Sequence, residues 1–121
     1  MANRNQVVGQ VRIKADGDVL PTSGESTLTI GGPSRENVPG DYEAGSFKEM
    51  TAPARCEVSL LNKAGLSLSS IRAIDNATIT LETDTGKTWI MRNAYCADVI
   101  SFGQDGKAQC VFEGPPAEEM L

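Results

Sequence analysis

Apolar residues recur at every second position along much of this chain, and residues that tolerate positive φ stand between the runs. In 7–14, Val7, Val11 and Ile13 share one parity while Gln10, Arg12 and Lys14 share the other. In 54–60, Ala54, Cys56, Val58 and Leu60 alternate with Arg55, Glu57 and Ser59; in 77–83, Ile79 and Leu81 oppose Thr78, Thr80 and Glu82. A period of two belongs to a strand with one face on a core and the other in water. Asp16-Gly17, Gly31-Gly32-Pro33, Asp84-Thr85-Gly86-Lys87 and Gly103-Gln104-Asp105-Gly106-Lys107 supply the turn chemistry that tight connections require. Shorter alternating segments at 18–22 and 26–30 complete the first third of the chain. The segments 89–102 and 108–113 alternate less cleanly, as strands do when central in a sandwich or covered by a neighbouring subunit.

Three stretches depart from this repeat. From 67 to 75, Leu68, Ile71 and Ile74 fall at three-residue steps behind Ser67 or Ser69 as N-cap, which predicts a short amphipathic helix. Its other face, with Ser70, Arg72 and Asp75, is expected to stay wet or to touch a partner. Residues 34–49 are polar and read as one long projecting loop. The last segment, 115–121, begins with Pro115-Pro116, which ends strand pairing and predicts an extended, surface-lying tail. The expected fold is mainly β: a two-sheet sandwich or partial barrel with one short flanking helix and a long loop. At 121 residues it forms one domain, able to bury roughly two-thirds of its unfolded surface.

Aromatic residues make up only 5% of a chain that is 40% hydrophobic, so the core must be aliphatic. The formal charge of −5 opposes binding to a polyphosphate, which needs a basic face. Residues 1–6, Met-Ala-Asn-Arg-Asn-Gln, are polar where a signal peptide would be apolar, and no apolar run approaches membrane-spanning length. Cys56, Cys96 and Cys110 make an odd count inside apolar patterns and read as small buried hydrophobes rather than a disulfide framework.

The residues also exclude most chemistry. There is no histidine, which removes Ser-His and Cys-His mechanisms, and the three cysteines are too far apart in sequence for a zinc motif. Gly86-Lys87-Thr88 imitates the end of a P-loop, but Leu81 stands where that motif needs its first glycine. Asp16-Gly17-Asp18 lacks the further ligands of a calcium loop, and Asn76-Ala77-Thr78 matches a glycosylation triplet that matters only in a secreted protein. Asp84-Thr85-Gly86 spells the signature of retroviral-type aspartic proteases, in which two subunits each lend an aspartate to a shared-proton pair. That is the enzymatic alternative. Glu82 and Thr83 before it, and Lys87 after it, fit an ordinary turn better. No catalytic residue, cofactor site or metal site is therefore expected.

Several motifs in order resemble the tail tube proteins of contractile-tailed, Mu-like bacteriophages. They are Gly9 to Ile13, the Asp16-Gly17 turn, Leu20, Gly31-Gly32-Pro33, and Arg35 with Val38, Gly40 and Asp41. The resemblance recurs at Trp89 to Tyr95 and at Phe112-Glu113-Gly114, and so spans nearly the whole chain. It implies a structural protein whose hexameric rings join their sheets into a continuous inner barrel. Stacked rings would form the hollow tube through which a phage genome passes. The 34–49 loop, with Arg35, Val38, Pro39, Gly40, Asp41 and Tyr42, is then expected to reach neighbouring subunits in the same and the adjacent ring.

On the same resemblance, residues 1–6 and 115–121 extend those contacts, and the helix bearing Ser70, Arg72 and Asp75 faces the contractile sheath. Implied partners are further copies of the chain, the sheath protein, the tape measure protein, the baseplate and the tail terminator. DNA is expected only in transit, and the place of action is the virion tail after assembly in the host cytoplasm. A lumen of acidic and hydroxyl side chains would let DNA slide, with Glu57 and Glu82 as candidates to face it. A tail terminator and a secretion-system tube protein remain as alternatives.

Overall fold

The computed structural model describes residues 3–120. Residues 1 and 2 of the expected N-terminal extension and residue 121 of the expected tail lie outside the described residues. Eleven strands and one helix follow in order: β1 (Val11–Ala15), β2 (Asp18–Leu20), β3 (Thr27–Thr29), β4 (Gly32–Asn37), β5 (Phe47–Ala52), β6 (Ala54–Leu61), α1 (Leu68–Arg72), β7 (Ala77–Thr83), β8 (Thr88–Cys96), β9 (Ser101–Phe102), β10 (Lys107–Gly114) and β11 (Glu118–Met120).

Nine strands form one hydrogen-bonded path, β2-β1-β7-β8-β10-β6-β3, with β11 added to β8 and β9 to β10. The path folds into two sheets because β8 belongs to both. Its first half pairs with β7 and β11, through Leu81↔Trp89 and Trp89↔Glu119. Its end pairs with β10, through Tyr95↔Glu113 and Cys96↔Phe112. Between Ile79↔Met91 and Ala77↔Ala94, β8 carries one residue more than β7, and within this bulge Asn93 takes φ +54°. A bulge bends its strand and sharpens the local twist, and asparagine is among the few residues that accept this φ readily. The irregular alternation of 89–96 thus marks the place where one strand passes between sheets.

The two inner faces meet in a single core. Ile13, Ala15, Ile79, Leu81, Met91 and Ala94 come from one sheet; Cys56, Val58, Leu60, Ala108, Cys110 and Phe112 come from the other. Phe112, Ile13, Leu60, Ile79 and Met91 are the largest fully buried side chains, each contributing about 2 kcal/mol by removal from water. The core is otherwise aliphatic or sulfur-bearing, as the composition leads one to expect, with Phe112 as its one fully buried aromatic ring among the described residues. Helix α1 closes one side with buried Ile71, and its N-cap Ser67 accepts the Ser70 N–H at 3.3 Å. The helix ends earlier than its periodicity suggests, because the Ile74 carbonyl is taken by the Cys96 N–H at 2.9 Å as the chain turns into β7.

Three local differences from the sequence reading follow from hydrogen bonding. Strand β1 begins at Val11 rather than at 7, and the preceding arm leaves Val7 and Val8 exposed. The tail does not simply lie on the surface: past Pro115-Pro116, the Ala117 N–H reaches the Ile30 carbonyl at 2.9 Å and β11 pairs with β8. The 34–49 loop is in large part strand, since β4 and β5 form a separate two-stranded sheet.

Candidate assembly surface

The β4–β5 hairpin is the feature that a single copy leaves unexplained. Its register runs from Gly32↔Ala52 to Asn37↔Phe47, yet every residue from 33 to 51 is exposed. A two-stranded ribbon with neither face on a core is marginal in water. Cross-strand charge pairs hold it: Arg35 Nε stands 2.8 Å from Glu49, and Lys48 Nζ 3.5 Å from Glu36. The Arg35 guanidinium also lies 5.8 Å from the centroid of the Phe47 ring. Each such exposed pair contributes about 0–1 kcal/mol. At the tip, Val38 N–H donates to the Ser46 carbonyl at 2.8 Å and Gly40 N–H to the Glu43 carbonyl at 2.9 Å, which presents Tyr42 fully exposed between Asp41 and Glu43.

The root of the hairpin is fixed by backbone geometry. Gly31 and Gly32 adopt φ +74° and +101°, and a Cβ on Gly31 would stand 2.8 Å from the Ala54 nitrogen. Only glycine fits there without displacing the start of β6. Arg35, Val38, Pro39, Gly40, Asp41 and Tyr42 therefore all lie on this projecting element. The hairpin also exposes Phe47 and Met50, and the sandwich exposes Tyr95, Val99 and Phe102 around the β8–β9 connection. Among the described residues, strands β2, β3 and β11 pair on one side only, leaving backbone groups open for another strand.

Glu57 and Glu82 both stand on polar faces, but of different sheets. Glu82 on β7 is 2.9 Å from Lys14 Nζ and 3.8 Å from Arg12 Nη1, in a cation-rich setting. Glu57 on β6 belongs to a cluster around Arg55, whose Nε, Nη1 and Nη2 lie 3.0, 2.8 and 3.0 Å from Glu57, Glu113 and Asp98. These hydrogen bonds, Glu57 first, hold the guanidinium still more firmly in its charged form. With three carboxylates to one cation, the β6–β10 face is the acidic one. Sequence reasoning placed Arg55 on the polar parity without seeing this cluster, because Asp98 and Glu113 reach it only through the pairing of β10 with β6 and β8. Ser70, Arg72 and Asp75 are exposed on and just beyond α1.

The groups with chemical potential are occupied structurally. The Asp84 carboxylate accepts the backbone N–H of Gly9 at 3.2 Å and of Gln10 at 3.1 Å. The Cys56 and Cys110 thiols are pushed up to about 12, chiefly by burial, and burial also raises Cys96, so none is readily ionised. Among the described residues, no group of three or more Cys, Asp or Glu side chains gathers as metal ligands would.

Comparison with known proteins gives this arrangement a context. Residues 4–119 match the family model described as phage tail tube protein. The chain is 32% identical over 102 residues to the Mu-like prophage FluMu tail tube protein of Haemophilus influenzae, covering 84% of this chain and 86% of that one. It is 31% identical over 94 residues to the tail tube protein of Escherichia phage Mu, covering 78% and 79%. Among solved structures, the cap of the anti-feeding prophage superposes with TM-score 0.69 at 11% identity, over 100% of this chain and 94% of that one. The sheath-tube complex of the PVC extracellular contractile injection system gives 0.67 at 12%, over 98% and 93%. At such low identity these structures speak for the fold alone.

Proposed function

Because the chain belongs to the phage tail tube protein family, we propose that it forms hexameric rings that stack into the hollow inner tube of a contractile tail, the conduit for genome ejection. Its role is structural and not enzymatic. The observation that carries the ring and its stacking is the exposed hairpin 32–52, which has no core of its own and needs a neighbouring copy to cover it. One-sided strands at the sandwich edges offer the pairing that would join sheets around the ring.

The acidic β6–β10 face, with Glu57, is the side we assign to the lumen, since excess carboxylate repels passing phosphates. Glu82, held by Lys14 and Arg12, then faces away from it. Helix α1, with Ser70, Arg72 and Asp75, is assigned to the sheath side. The sheath, the tape measure protein, the baseplate and the terminator are the remaining partners of such a tube, after assembly in the host cytoplasm.

A terminator role is the second reading, because a sheath/tube terminator of the PVC system has the same fold, with TM-score 0.68 at 12% identity, and the fold by itself serves either role. Negative-stain microscopy of concentrated, purified protein separates the two. Long hollow filaments support the tube; isolated rings that never stack support the terminator.

A further inference from the structure

We propose that the hairpin tip of one copy seats in a specific cleft on a second copy in the adjoining ring, the cleft lined by Val19, Pro21, Lys63, Gly65 and Leu66. This rests on the tube reading above and names the receptor of its axial contact.

The hairpin leaves the sandwich beside Ala54, at the start of β6, whereas the cleft lies beyond Leu61, at its end. Leu61 N–H donates to the Pro21 carbonyl at 2.7 Å, and Leu66 N–H to that of Lys63 at 3.0 Å, which builds the cleft onto the finish of that strand. Eight residues of strand separate the root of the hairpin from the cleft by about 23 Å. In the stacked rings proposed above every copy points the same way along the axis, so a hairpin rooted at one end of the strand and a cleft at the other meet between successive rings. They match head to tail, and such contacts repeat indefinitely along an axis.

The cleft has a volume of about 410 Å³ and an apolar floor of Pro21 and half-buried Leu66, with Val19 58% exposed. Gly65 adds no side chain to obstruct it. The tip offers Tyr42, fully exposed, with Val38 behind it. An aromatic anchor in an apolar depression, ringed by charge, is the common form of an energetic centre in interfaces. The rims are complementary: Lys63 makes no ion pair among the described residues, and neither do Asp41 and Glu43 on either side of Tyr42, although ten ion pairs are formed elsewhere.

Charge reversal tests the match. Lys63→Glu should raise the concentration needed for filament formation by about tenfold or more, as should Asp41→Lys with Glu43→Lys. Combining all three in one chain should restore polymerisation towards that of the unaltered protein. A second measurement needs no substitution: carbodiimide treatment of unaltered filaments should join Lys63 to Asp41 or Glu43, detected by mass spectrometry. If filaments form but Lys63→Glu polymerises normally, or the cross-link is absent while other Lys–carboxylate links form, the docking site is overturned and the tube reading stands. If the unaltered protein never forms filaments, the tube reading itself fails.

Discussion

The carboxylate of Asp84 accepts the backbone N–H of Gln10 at 3.1 Å, and the Asp84 N–H returns to the Gln10 carbonyl, also at 3.1 Å. The aspartate of a protease-like triplet thus fastens the N-terminal arm to the β7–β8 turn. Asp84→Ala should speed amide exchange at Gly9 and Gln10 and cost about 1 kcal/mol of stability. Hydrogen exchange followed by mass spectrometry reads both; unchanged exchange at Gly9 and Gln10 would show that the arm is held otherwise.

Replacing residues 33–51 with a short Gly-Ser turn should leave the sandwich nearly as stable as before, since none of these residues enters the core. The expected change in unfolding free energy is about 1 kcal/mol or less, within the range of surface edits. Assembly, by contrast, should be lost. Urea titration and electron microscopy of the same preparation give the two answers.

Gly31→Ala should destabilise more than Gly32→Ala. Both positions have positive φ, but a Cβ at Gly31 meets the Ala54 nitrogen at 2.8 Å while one at Gly32 meets open space. The strained backbone costs about 1–3 kcal/mol at either site, and the clash adds to it at Gly31. Equal midpoints in chemical denaturation for the two variants would contradict the assigned close approach.

The buried thiols set an alkaline limit on stability. Cys56 and Cys110 titrate near 9 when unfolded and at about 12 when folded, so above pH 9 the unfolded chain holds fewer protons than the native one. Their contribution is complete below pH 9 and is lost as pH rises towards 12, at up to about 1.4 kcal/mol per pH unit for each thiol. Denaturation curves between pH 8 and 11 should show this slope. Cys56→Ala should lower it, whatever that substitution does to stability at pH 7.

Removing Arg55 leaves Glu57, Asp98 and Glu113 facing one another. Arg55→Ala should therefore lower the melting temperature most at low ionic strength and regain part of it in 0.5–1 M salt, where the Debye length falls to roughly 3–4 Å. Arg12→Ala, at an exposed 3.8 Å contact, should show little of either effect.

The strands were legible wherever one face meets the core and the other meets water. Ala54, Cys56, Val58 and Leu60 of β6, and Ile79 and Leu81 of β7, announce their burial by parity alone. The turn at Asp16-Gly17 did the same by its need for positive φ. What stayed hidden depends on distant partners. Phe47 to Met50 carry no alternation because no core orders them, so β5 looked like loop. Glu118–Met120 follow two prolines and carry two glutamates, and become strand only because β8 has an open edge beside them. The candidate assembly site was legible as a segment, through Arg35, Val38, Gly40 and Asp41, but its ribbon geometry was not. The Arg55 cluster was not legible either, since its four members are joined only by the sheet.

The central claim is that the 33–51 ribbon is completed by other copies of the chain. Hydrogen exchange measured on the free subunit and on assembled filaments tests it most directly. The account predicts that amides of 33–51 exchange within seconds in the free subunit and become strongly protected on assembly, while those of β6 and β7 change little. Equal exchange of 33–51 in the two states would contradict it.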